Sequence, residues 1–166
     1  MANVLLISRN DLVKYTPING NIDVDKVIQY IYIAQQIHIL NYLGTDLLEK
    51  LKSDIAAGSL TGNYQTLVNT YVKPMLVHYS IFTYLPFSTV SISNKGVFQH
   101  SSENATVIGQ EELEKLEAAS LKIAENYALR CVDYLNNNST LFPEYTSNTN
   151  EDVNPQRSVN TGNWYI

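Results

Sequence analysis

Three histidines, one cysteine and a run of glutamates are the side chains in this 166-residue chain best suited to ligate, attack or move protons. His38 and His78 fall inside long helical patterns, and His100 falls in a polar stretch. No Glu-x-x-His, His-x-x-x-His or Cys-x-x-Cys spacing occurs, so the usual registers of metal ligands are missing. His38 and His78 therefore read as packed or interface rings. Cys131 lies in an apolar helical pattern and reads as a buried thiol. A single cysteine cannot form an intramolecular disulfide, which suits a reducing compartment. There is no glycine-rich phosphate loop and no Gly-x-Ser-x-Gly; the seven glycines are spread along the chain, mostly in turns. Glu111, Glu112, Glu114 and Glu117 crowd one helix start, a pattern typical of a solvated face rather than an acid/base pair. Asn104, Asn137 and Asn138 each begin a glycosylation sequon, but the start MANVLLISRND lacks the basic and apolar regions of a secretory signal. The expectation is a chain without catalytic site, metal or cofactor.

Composition narrows the remaining classes. The formal charge is −5, and it is uneven: residues 1–110 sum to zero, and the deficit accumulates afterwards. No basic stripe exists to neutralise phosphates, so direct nucleic-acid binding is not expected. No apolar run approaches the ~20 residues of a membrane span. Twelve tyrosines accompany one tryptophan and four phenylalanines. Tyrosine suits both the rim of a helical core and protein–protein interfaces, being large, stiff and amphipathic.

The elements that must position these residues are mostly helical. Val4–Ile7 reads as a short strand or extended arm. Ser8 with Asp11 forms a capping signal for a short helix, Arg9–Tyr15. Asp23 caps a long helix over 24–43, in which Val27, Ile31, Ala34, Ile37 and Leu40 form the buried stripe, widened by Val24, Ile28 and Leu43. Gly44 ends it as a left-handed residue, and a second helix runs to Ala57 before Gly58. Asn63 is the expected cap of a third helix, 64–85, with a kink at Pro74, whose ring clashes with the Thr70 carbonyl. Residues 88–99 switch to alternation around Asn94-Lys95-Gly96 and read as a β-hairpin. A fourth helix, 110–135, is expected to bury Leu113, Leu116, Ser120, Ile123, Tyr127, Cys131 and Tyr134. The fold class is then mainly α: a small bundle of about four helices with one short hairpin and extended N- and C-terminal arms.

The domain so described covers 1–145. Residues 146–166 form a polar arm, rich in Asn, Thr and Ser, that ends in the apolar anchor Trp164-Tyr165-Ile166. Such a composition orders only against something else. The arm is therefore expected to lie along a neighbouring subunit, with packing on its own domain as the alternative. Its deletion is expected to leave a folded monomer that no longer joins an assembly.

The order of segments LLISRNDLVKYTPINGNID, AQQIHILNYLGTDLLEKL, YVKPMLVHYSIFTYLP and VSISNKGVF resembles the head–tail connector (adaptor) proteins of tailed bacteriophages, most closely the type of crAss-like and related phages. The resemblance spans about residues 1–145 and is joined by Trp164-Tyr165-Ile166. It implies a homo-oligomeric ring, usually a dodecamer, in the virion at the capsid vertex, assembled in the bacterial cytoplasm. Such a ring sits beneath the portal protein, extends the DNA channel and docks the next neck or tail protein, without membrane contact. DNA passes through it without specific binding. Under that resemblance Ser91, Ile92, Asn94, Lys95, Gly96, Val97 and Phe98 are expected to touch a neighbour or line the passage. Trp164, Tyr165 and Ile166 are the expected anchors. The acids Glu111, Glu112, Glu114 and Glu117 face either the lumen or the outer solvent. The alternative reading is a stand-alone helical protein-binding module of a phage or its host.

Overall fold

A computed structural model describes residues 3–18, 23–94, 96–99, 107–150 and 152–159. Among the described residues the chain forms six helical runs and one two-stranded ribbon. Helix α1 is Arg9–Tyr15, α2 spans 24–43, α3 is Thr45–Ala57, α4 spans 62–84, α5 is Gln110–Asn137 and α6 is Pro143–Ser147. Strands β1, Val90–Ser93, and β2, Gly96–Gln99, pair antiparallel in the register Ser91 to Phe98 and Ile92 to Val97. This corrects the expectation of a small bundle of about four helices with a hairpin. The two short helices at the chain's flanks, α1 and α6, are part of the folded body and carry core side chains, Leu12 and Tyr145. The ribbon supplies no described side chain to the core, and Val97 on it is 66 % exposed.

Local chemistry explains the boundaries. The Ser8 hydroxyl accepts from the Asp11 backbone N–H, and the Asp11 carboxylate accepts in turn from the Ser8 N–H at 2.7 Å, closing a capping box. Asp23 caps α2 by accepting from the Asp25 N–H. Gly58 ends α3 in the left-handed region. The expected cap at Asn63 is displaced: α4 begins at Gly62, after an extended Thr61.

Two of the long helices carry a π turn, in which one extra residue is accommodated in the helical path. In α2 it is Gln35–Ile39, between Val24–Ala34 and Leu40–Leu43. It shifts the helical phase, so the buried stripe runs Val27, Ile31, Ala34, Gln35, Ile39, Leu43. Ile37, expected inside, is 52 % exposed, and Ile28 also faces outward. In α4 the π turn is Leu67–Val72, immediately before Lys73 and Pro74. At the place of the expected kink the turn before Pro74 widens, so that the missing N–H and the pyrrolidine ring are accommodated without ending the helix.

Helix α4 is the centre of the body, with α2 packed on one part of its surface and α5 on another. Its side chains Val68, Val72, Met75, Leu76 and Tyr79 are buried among Ile31, Ile39 and Leu43 of α2 and Ala128, Cys131 and Leu135 of α5 as one cluster. Burial of α5 begins only at Ala124. Leu116 and Ile123, expected in its buried face, are 47 % and 43 % exposed.

The described part of the segment expected to lie along a neighbour is held by its own domain, the alternative reading. The boundary expected at 145 falls inside α6, and residues 148–150 and 152–157 lie across the corner between α2 and α3. Helix α3 starts without a side-chain cap of its own, yet its first amides are satisfied: the Thr45 N–H donates to the Val153 carbonyl at 3.0 Å, and the Asp46 N–H donates to Asn148 Oδ1. The Thr149 N–H donates back to the Asp46 carboxylate, and the Gln156 N–H donates to the Asn41 carbonyl at 2.7 Å. Gly44, at φ +76°, sits beneath this clamp. Its ψ of 164° is outside the expected left-handed helical region, and a Cβ there would lie 2.7 Å from Pro155 Cδ. Glycine is needed at this corner for close approach as well as for its φ. Deletion of 146–166 would therefore uncover the start of α3.

Candidate functional site

The widened turn of α4 opens a cleft of about 410 Å³ against α1 and α5. This volume falls within the range of small-ligand and side-chain pockets. Asn69 and Lys73, four residues apart across the π turn, lie on one wall with Pro74 and Val77. Tyr15 and Asp11 of α1 form the second wall, and Tyr127 of α5 with His78 of α4 forms the third.

The cleft has one fixed cation. Lys73 is half-buried, and among the described residues no carboxylate lies within ion-pair distance of it. Asp11, the acid of the lining, is already occupied by the Ser8 N–H and hydroxyl. His78 stacks on Tyr127 with ring centroids 5.5 Å apart and planes within 7°. Burial lowers its pKa, which favours the neutral ring. Tyr15 is 58 % exposed at the rim, with the Lys14 ammonium over its ring. The cleft thus offers one ammonium, one amide and two phenol rings to an incoming group that is anionic at one end and apolar along its body.

The other residues singled out from the sequence lie elsewhere. His38 is stacked on Tyr79 at 4.0 Å, away from the cleft, and burial pulls its pKa down to about 4. Cys131 is fully buried, and desolvation lifts its thiol to about 12, so it carries no thiolate at neutral pH. Among the described residues no three His, Cys, Asp or Glu side chains converge as metal ligands, and no helix is long and apolar enough to cross a membrane. Asn94, Gly96 and Val97 are exposed at the tip of the ribbon, with Ser91, Ile92 and Phe98 along its strands. Lys95, His100, Trp164, Tyr165 and Ile166 lie outside the described residues. The four glutamates sit in the first turns of α5 without forming a joint site. Glu111 pairs with Lys115, Glu114 accepts from Gln110, Glu112 lies by Gly109, and Glu117 is half-buried.

Sequence reasoning passed over Gln35 and Lys73. Gln35 is wholly buried; its Oε1 accepts from the Leu6 N–H and its Nε2 donates to the Val4 carbonyl, both at 2.9 Å, which pins the N-terminal arm to α2. Its neighbours are apolar, and only the paired glutamines signalled anything unusual there. For Lys73 the signal was the Lys-Pro step in mid-helix.

No curated protein and no solved structure matches this chain. A family model does match, over residues 39–155, a stretch that starts in the π turn of α2 and ends at the proline lying on Gly44. The chain belongs to that family, DUF6712, a family of unknown function.

Proposed function

We propose that this protein is a non-catalytic structural subunit of a bacteriophage head–tail connector ring, seated between the portal and the next neck or tail protein and extending the DNA channel of the virion. Two features support this reading: the segment order described above, and the outer surface of α2. The second carries it. Tyr30 to Ala34 are five consecutive apolar residues, which at 100° per residue reach every face of a helix. Ile31 and Ala34 are buried in the core, whereas Tyr32, Ile33, Ile28 and Ile37 face outward. Asp25, Lys26 and Gln29 are exposed on the same helix, so the outward apolar residues form a local cluster rather than an apolar face all round, and such a cluster marks an interaction site that another surface covers. In a ring, that cover comes from an adjoining subunit.

The test is electron microscopy of phage particles carrying a tag on this subunit. Label at the capsid vertex, with a closed ring in the averaged neck density, is the expected result. A protein that stays out of particles and remains monomeric at every concentration ends the ring reading. One observation favours the alternative of a stand-alone binding module: among residues 148–150 and 152–157, Asn148, Thr149, Val153 and Gln156 bond to their own domain.

A further inference from the structure

We infer that the Lys73 cleft is the acceptor of a head-to-tail contact between copies of this chain, and that its occupant is the N-terminal half of α5 of a second copy. The inference rests on the ring reading and names the two faces that make the ring.

The two surfaces are complementary and both lack cover. The cleft holds a half-buried ammonium with no carboxylate partner among the described residues, flanked by the rings of Tyr15 and Tyr127. The first half of α5, residues 110–123, has no fully buried side chain, and its inner side touches the core only through the partly buried Leu121, which leaves the stripe opposite open. Glu112, Leu116 and Ile123 recur there at spacings of four and seven residues, so they share one stripe, with an acid at its head and two exposed aliphatics behind it. The carboxylate of Glu112 is the partner for Lys73. Leu116 and Ile123 supply apolar area for the tyrosine rings. The same molecule cannot make this contact with itself. Tyr127, in the cleft wall, lies eleven residues beyond Leu116, about 16 Å along the same helix. Donor and acceptor are therefore different patches on one chain. That is the requirement for heterologous association, which closes into a ring when the rotation allows.

Sedimentation velocity at low salt tests the contact with four proteins: wild type, Lys73→Glu, Glu112→Lys, and the double swap in one chain. The wild type is expected to self-associate. Each single variant is expected to do so at least about tenfold more weakly, since like charges then meet, and the double swap to recover. Mixing the two single variants is expected to restore association in alternating order, because each swapped charge then meets an opposite charge on the other variant, and each unswapped face meets its original partner. Should Lys73→Glu fail to fold, Lys73→Gln gives the same reading by loss of the charge alone. Wild type that assembles alongside equally competent single variants overturns this contact and leaves the ring to another surface. Wild type that stays monomeric throughout overturns both.

Discussion

The π turns of α2 and α4 are the same backbone device put to opposite uses. Each carries an amide side chain and has near it a histidine stacked flat on a tyrosine: Gln35 with His38 on Tyr79, and Asn69 with His78 on Tyr127. In α2 the extra residue turns the amide inward, where it holds the N-terminal arm by two backbone hydrogen bonds. In α4 it turns the amide outward, where Asn69 is exposed at the edge of a cleft. What decides between the two is what lies opposite: a stretch of unpaired backbone that needs hydrogen bonds, or a gap between helices.

The largest expected difference is in stability. Gln35→Ala strands a buried N–H and a carbonyl and leaves a void, and should cost about 3 kcal/mol in a urea titration. Asn69→Ala, at an exposed position, should stay within about 0.5 kcal/mol. Comparable losses for both would dissolve the contrast.

Next in size is the response to acid. His38 has its folded pKa depressed to about 4 from the ordinary 6.5. Below 6.5 the unfolded chain takes up a proton that the folded ring refuses, so the contribution is fully present above about pH 6.5 and is lost as pH falls towards 4. Partial solvation of the ring limits the loss to about 1–2 kcal/mol. His38→Phe keeps the stack and should flatten that part of the pH–stability curve; an unchanged slope would assign the acid sensitivity to other groups.

Pro74→Ala acts on the backbone of the α4 turn and changes stability less than the acid response does. Restoring the N–H removes the reason for the wide turn, and the stability change should remain within about 1 kcal/mol as the gain in helix propensity opposes the added freedom of the unfolded chain. The visible consequence is local: amide shifts over 67–72 should move towards ordinary helix, with 35–39 unaffected.

Short-range signals were legible in the sequence and long-range ones were not. The Ser8 box, the Asp23 cap and the stop at Gly58 depend on neighbours within a few positions, and residue type alone places them. Ile37 was misplaced because a constant 3.6-residue period cannot foresee an inserted residue. Leu116 and Ile123 were misplaced because periodicity shows which residues share a face but not whether a partner helix extends that far. The clamp was invisible for a different reason: Asn148 and Val153 bond partners about a hundred residues away, and nothing in a polar stretch names its acceptor. The cleft was half legible. Lys73-Pro74 announced an irregular helix, but the gap beside it depends on where α1 and α5 come to rest.

The clamp over Gly44 also bears on how the chain matures during translation. The start of α3 is synthesised early, yet the carbonyl that satisfies its first amide belongs to Val153, 108 positions downstream. While the ribosome is still extending the intervening helices, that corner remains solvated and unlatched. The body can collapse around α4 beforehand, but the joint between α2 and α3 locks only once residues 148–157 have left the exit tunnel, which makes its closure a late, post-collapse event in the life of each copy.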